Sequence, residues 1–321
     1  MGKMKILPFL IQGIRIRTEE QVMKTSKLKA ELPLHLLILP GLILVIVFSY
    51  VPMLGLVMAF QKFVPALGIS GSKWIGWDNF KYLIDMPNMG QVIWNTIYIA
   101  VMKIIAGIIV PITLAILLNE IIHERFKKLI QTIIYLPHFL SWVILGGILI
   151  DILSPNTGIV NQLIKALGFE PIFFLGDNKW FPFTVVITDQ WKEMGFNTIV
   201  YLAAITGINP SLYEAAKLDG ASRLRQTWHV TLPGMRPIII LLVTLSLGQV
   251  LNAGFDQIFN IYSPVVYESG DIIDTLVYRL GLVDAQYAVA TAVGMFKSVI
   301  SLGLISLSYW LAYRFANYRI F

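Results

Sequence analysis

Long stretches without charge alternate with short polar ones along the 321 residues of this chain. The first, Leu32 to Phe60, holds no Asp, Glu, Lys or Arg and exceeds the ~20 residues a membrane-crossing helix needs. Its prolines, Pro40 and Pro52, are tolerable in a membrane helix because neighbouring groups can satisfy the freed carbonyls. Five more apolar runs follow, near 92–118, 129–153, 183–206, 237–262 and 288–313. The run at 183–206 is the weakest, since Asp189, Lys192 and Glu193 fall inside it. The pattern predicts an all-α polytopic membrane protein with about six transmembrane helices. It divides into a basic tail at 1–31, a transmembrane domain at 32–313 (first span about 32–60), a connecting loop at 207–237 within that domain, and a short tail at 314–321.

Composition agrees. The chain is 56% hydrophobic and only 14% charged, against about 25% charged for soluble domains. No segment is long and polar enough for a separate soluble enzyme domain. The net charge of +6 fits topology better than nucleic-acid binding, because Lys and Arg collect on the cytoplasmic side of membrane proteins. With both termini inside, sixteen of the 25 Lys and Arg residues fall on inner segments and six on outer ones, with Lys103, Lys192 and Lys297 in the spans. That bias predicts six spans with both termini cytoplasmic. Cys is absent, which excludes disulfides and thiolate chemistry. His35, His123, His138 and His229 have no metal-ligand spacing, so no metal site is predicted. The outer loops at 61–91 and 154–182 carry Trp74, Trp77, Phe80, Tyr82 and Trp180, suited to interfacial belts or to a sugar or docking surface.

The segment 208–237 reads INPSLYEAAKLDGASRLRQTWHVTLPGMRP. Asn209-Pro210-Ser211 opens a short helix, with Ser211 and Glu214 at capping-box spacing and Pro210 in the first turn. Gly220 supplies a break. A second amphipathic helix, roughly Ser222 to Val230, is expected to run into Leu232-Pro233, with Pro237 opening the next span. The pattern Glu214-Ala215-Ala216, Asp219-Gly220-Ala221 and Trp228-x-Val230-Thr231-Leu232-Pro233 resembles the EAA loop of transmembrane permease subunits in binding-protein-dependent ABC importers. Trp228 and Val230 stand where Phe and Ile are common in that family. The resemblance implies a fold like type I ABC importer permeases. It also implies that Glu214, Ala215, Ala216, Asp219, Gly220, Ala221, Leu232 and Pro233 couple the chain to an ATPase. Residues 254–281 and the ATAVGMFKSVISL segment resemble the oligosaccharide branch of these permeases, which includes importers of multiple sugars and of uronic-acid-containing polysaccharide fragments.

Ionisable and amide side chains inside spans are costly and are candidates for function. On a continuous helix Gln249, Asn252, Asp256 and Asn260 would form one polar stripe, either lining a sugar path or bonding a neighbouring helix. Asp189 and Glu193, with Trp191 and Lys192 beside them, either pair locally or meet substrate. Lys103 and Lys297 each need a carboxylate such as Asp256, or attract an anionic sugar.

Three other readings fit less well, an ion-gradient-driven secondary transporter being the alternative that stays open. An ion-gradient-driven secondary transporter would leave the EAA-like loop unexplained and should show internal repeats. An intramembrane enzyme would need a nucleophile with its base, or a metal cluster. An ATPase would need a G-x-x-x-x-G-K-[ST] loop. The resemblance therefore implies an oligosaccharide importer permease with no cofactor of its own. ATP and Mg would bind two partner ATPase subunits. A second homologous permease and an extracellular sugar-binding (lipo)protein would complete the assembly among membrane lipid, without nucleic acid.

Overall fold

The computed structural model describes residues 31–248 and 250–316. The N-terminal tail up to residue 30, Gln249 and the last five residues lie outside the described residues. The chain separates into two compact units that meet between Val57 and Met58. The first contains most of the apolar helical stretch α1 (Glu31–Phe60). Within α1 a π turn at Ile46–Tyr50 precedes Pro52. Proline offers no N–H and crowds the carbonyl four residues back, and a widened turn relieves that crowding.

The second unit is almost entirely helical. Short strands β1 (Gln61–Lys62) and β2 (Lys73–Trp74) pair antiparallel. They carry an aromatic cluster in which Phe60 stacks on Trp74 and meets Trp77 and Phe80 edge-on or tilted. After α2 (Asp78–Ile84) comes the long helix α3 (Met89–Glu120). Then follow α4 (Glu124–Tyr135), α5 (Trp142–Ile152), α6 (Ile159–Ala166) and α7 (Phe181–Thr206). The C-terminal part comprises α8 (Pro210–Leu218), α9 (Arg223–Gly248), α10 (Phe255–Ile261), α11 (Ile273–Tyr278) and α12 (Tyr287–Ala316).

Among the described residues α1, α3, α9 and Tyr287–Trp310 within α12 are long and apolar enough to cross a membrane. The helix α7 is 26 residues long, but its three charges set it apart, as its sequence predicts. Two apolar runs differ from the continuous spans expected of them. The run at 129–153 is broken: α4 and α5 meet at 106°. A 3-10 turn at Leu136–Phe139 holds Pro137, and Leu140 and Ser141 are extended before the Ser141 hydroxyl caps α5. The run at 237–262 is also broken. Its helix starts at Arg223 and stops at Gly248, and α10 begins only at Phe255.

Three buried clusters organise the unit. Ile99, Phe181, Val185, Leu251, Ile258 and Ile272 join α3, α7 and the segment around α10. Leu83, Val92, Ile273, Leu276 and Val293 join α2, α3, α11 and α12. Ala115, Tyr201, Ile205 and Met235 join α3, α7 and α9. The helices α3 and α7 thus form the spine against which the broken helices pack.

Candidate functional site

Two regions hold the residues singled out from sequence: the α8–α9 connection and a polar cleft between α3, α7 and α9.

The helix α8 starts where the prolyl ring at Pro210 predicts, but its cap is Asn209, whose side chain accepts a hydrogen bond from Ser211 N at 3.0 Å. Ser211 and Glu214 therefore sit inside the helix and form no capping box. Asp219 ends the helix, and Gly220 turns the chain at φ +74° with nothing close to where a side chain would project. The N–H of Ala221 returns to the Ala216 carbonyl at 2.9 Å. Ser222 caps the next helix, its hydroxyl accepting from Arg225 N.

That helix does not end near Val230. A π turn at Thr227–Thr231 carries it through Leu232 and Pro233, and it continues past Pro237 to Gly248. The expected second short helix and the following span are one element, α9. The missing proline N–H groups are absorbed at the π turn and in the turns beyond it.

No residue of α8 is buried, and Leu212, Leu218, Leu224 and Trp228 present apolar side chains. Glu214, Ala215, Asp219, Gly220 and Pro233 are exposed, with Ala216, Ala221 and Leu232 half-buried. The connection is tied back at two points. The Tyr213 and Thr231 hydroxyls are 3.0 Å apart, and Arg223 Nη1 donates to Glu120 Oε2 at the end of α3. A cavity of about 610 Å³ lies behind α8, lined by Ala203, Gly207, Ile208, Leu212, Gly234 and Pro237.

The second region is a cleft of about 390 Å³ lined by Lys103, Asp189, Gln190, Glu193, Ser246 and Asn252, among others. Lys103 Nζ on α3 lies 2.9 Å from Asp189 Oδ1 on α7 and also donates to Gln257 Oε1 on α10. Gln257 is fully buried, and its amide donates to the Val185 carbonyl and the Thr188 hydroxyl. Gln190 Oε1 is buried in the cleft wall with no hydrogen-bond partner.

Glu193, one turn beyond Asp189, accepts from Lys192 Nζ at 3.0 Å and from His138 Nδ1 at 2.8 Å. A carboxylate can only accept, so the histidine carries the proton on that nitrogen. Lys192 also donates to the His138 carbonyl, and the His138 ring stacks on Phe196 at 4.2 Å. These bonds hold the bend between α4 and α5. Trp191, between the two groups, is partly exposed.

Asp256 is not the partner of either lone lysine. Lys297 Nζ on α12 lies 2.6 Å from Asp274 Oδ1 on α11 and donates to Asn252 Oδ1 at 2.7 Å. The polar stripe expected on one helix is dispersed. Gln249 lies outside the described residues, Asn252 is in the non-helical link, and Asp256 and Asn260 sit on α10, where Asn260 donates to the Asp256 carbonyl. The local pairing expected of Asp189 and Glu193 holds for Glu193 with Lys192, whereas Asp189 reaches across to α3.

Sequence reasoning missed Gln257, His138 and Asp274. An isolated lysine in an apolar run announces that a carboxylate exists, but the amide completing its shell carries no such signal. It also missed Asp271 and Arg279, joined by a bidentate pair beside a cavity of about 580 Å³. The hydrogen bond that the Arg279 guanidinium donates to the Asp271 carboxylate holds its pKa above the ordinary value, against the effect of burial.

A family profile described as the binding-protein-dependent transport system inner membrane component matches residues 107–317. The polygalacturonan/rhamnogalacturonan transport system permease protein YteP of Bacillus subtilis (strain 168) is 41% identical over 311 residues, covering 97% of each chain. Protein LplB of the same organism is 40% identical, covering 92% of this chain and 93% of its own. Among solved structures, a bacterial ABC transporter involved in the import of the acidic polysaccharide alginate matches with a TM-score of 0.83 and 39% identity. That match covers 90% of this chain and 98% of the other.

Proposed function

This chain belongs to the family of binding-protein-dependent transport system inner membrane components, and from that premise we propose that it is a permease subunit importing acidic oligosaccharides at the expense of ATP. The observation that carries the substrate class is the near full-length similarity to a polygalacturonan/rhamnogalacturonan permease, joined by the alginate importer.

In this reading the chain crosses the plasma membrane six times with both ends inside, α4–α5 and α9–α10 being broken crossings. The exposed α8 seats in a groove of a partner ATPase. Ala215 and Ala216 permit close approach, Glu214 and Asp219 meet polar partner groups, Gly220 sets the bend, and Leu232-Pro233 joins the seat to the span. A helix docked by an apolar face in a groove transmits displacement as a rigid body, and Tyr213–Thr231 ties α8 to α9. The chain has no phosphate-binding loop, so two partner subunits bind ATP and Mg. A second homologous permease closes the pore, and a sugar-binding protein docks on the outer loops.

The cleft is where sugar would pass. Asp189, Glu193, Ser246, Asn252 and the unmatched Gln190 oxygen offer acceptors for hydroxyl groups, whereas Trp191, on the same helix as Asp189, is not among the residues that line the cleft. Asp256 and Asn260 flank the approach on α10, and Lys297 bears on the cleft through Asn252.

A mild-detergent pull-down of the tagged chain beside an Ala216→Arg variant tests this. We expect an ATPase subunit and a second permease to co-purify, and the variant to lose the ATPase. Oligogalacturonides and oligoalginates carried by the binding protein should then stimulate ATP hydrolysis more than neutral oligosaccharides do. Recovery of the chain alone, with the variant indistinguishable, would refute the assignment.

A further inference from the structure

The link between α9 and α10 is gripped from two sides by matching groups. On one side Lys103 of α3 holds Asp189 of α7 and Gln257, two residues into α10. On the other, Lys297 of α12 holds Asp274 of α11 and Asn252, within the link itself. Each grip consists of a lysine, a carboxylate from another helix and one amide belonging to the broken element. Both lysines are largely shielded, with side-chain exposures of 11% and 16%.

The link is also built around the first lysine. Gly254 has φ +97°, and a Cβ there would stand 2.6 Å from Lys103 Nζ. The ammonium occupies the space that any other residue would fill. Asn252, Gly254 and Lys103 all line the polar cleft, so the grips act on a segment that forms its wall.

The helix leading into this link is the one that begins in the α8–α9 connection. It runs from Arg223 to Gly248 with a π turn at Thr227–Thr231, and beyond that turn one continuous helix leads to the link. A buried ion pair is a weak source of net stability, since desolvation offsets the attraction. Two such pairs, one completed by an amide of the link and the other by an amide of the first turn after it, fix geometry rather than add stability.

We infer that Lys103 and Lys297 are positioning residues for transport: they hold the α9–α10 link unwound against the cleft, so that movement of α9 changes the cleft instead of rewinding the link. The inference rests on the importer reading for the word transport, but not for the geometry.

The chain contains no cysteine, so Ser246→Cys places a single reactive thiol on the cleft wall. In the reconstituted complex with its ATPase partners, labelling of that thiol by a charged methanethiosulfonate reagent is measured beside sugar uptake and ATP hydrolysis. The charge-balanced pair Lys297→Met/Asp274→Asn leaves no orphaned carboxylate and alters no residue that lines the cleft. Gln257→Leu loosens the Lys103 grip without altering any charge or any residue that lines the cleft. Expected are wild-type assembly and ATP hydrolysis, a labelling rate changed roughly tenfold, and a similar fall in sugar moved per ATP, within the range of couplings along packed networks.

Wild-type labelling, or wild-type uptake per ATP, across these variants overturns the inference and leaves the lysines as charge neutralisers. Failure of the unmutated complex to move any sugar would refute the importer reading instead. The labelling comparison, which needs no transport, would still decide whether the lysines hold the link.

Discussion

Asp271 shows how much one side chain can organise here. It accepts from Arg279 Nη1 at 3.2 Å and Nη2 at 2.6 Å, and from the Thr275 hydroxyl at 2.8 Å. The guanidinium lies 4.7 Å from the centre of the Tyr267 ring. Asn95 of α3 donates to the Asp271 and Glu268 carbonyls, fastening the same segment to the long helix. Replacing Asp271 with Ala strands a partly buried cation, which costs about 3 kcal/mol when buried pairs are broken. The expected result is a lower thermal midpoint of the detergent-solubilised protein, and Arg279→Lys with Asp271 intact should also lower it, because an ammonium cannot reproduce the two-pronged contact. An unchanged midpoint would show the pair to be incidental. At this scale sequence reading reached Asp189, Glu193 and both lone lysines, because a charge in an apolar run stands out. It paired Asp189 and Glu193 locally and offered the lysines Asp256, whereas Lys103 meets Asp189, 86 positions away, and Lys297 meets Asp274.

Among the elements, α9 differs most from what its sequence predicts. Pro233 and Pro237 read as boundaries between a loop helix and a span, since proline removes a donor and crowds the preceding turn. The structure instead keeps one helix of 26 residues, roughly 39 Å at the usual rise. Its π turn is invisible to a period of 3.6 residues. The break at 250–254 was equally hidden, because Val250, Leu251 and Ala253 are apolar and buried whether helical or not. Only Gly254 signals it. A stiff α9 makes a clear prediction at this scale. Inserting Gly-Gly after Met235 should leave ATP hydrolysis in the assembled complex near wild type while uptake per ATP falls at least several-fold, since glycine weakens a helix interior by about 1 kcal/mol per residue. Retained uptake would show that α9 carries no mechanical signal.

For the whole molecule, the membrane class, helical architecture and transport family were legible from apolar runs and from the motif between Glu214 and Pro233. Those features are local: a run of twenty apolar residues or a loop motif is complete within its own segment. The cleft was not legible, because it is made where α3, α7, α9 and the α9–α10 link converge, and no single segment contains it. The two bends share one origin. Asp189 and Glu193, four residues apart on α7, reach the α9–α10 link through Lys103 and the α4–α5 bend through His138. One turn of one helix thus fixes both discontinuities.

That turn has a consequence for how the protein is made. An aspartate or lysine at the centre of a crossing helix opposes insertion by about 2.5–3.5 kcal/mol, and Phe181–Thr206 carries three ionisable side chains close together. The partners that offset them, Lys103 and His138, precede α7 in the chain and have left the ribosome before α7 emerges. In the proposed six-span topology, synthesis from the N-terminus presents α7 to a bilayer that already holds the Lys103 ammonium and the His138 ring. An insertion reporter fused after Thr206 should show efficient membrane integration of α7 in the full-length context and a marked drop when Lys103→Leu and His138→Leu are combined. Equal integration in both would mean that α7 enters on its own hydrophobicity.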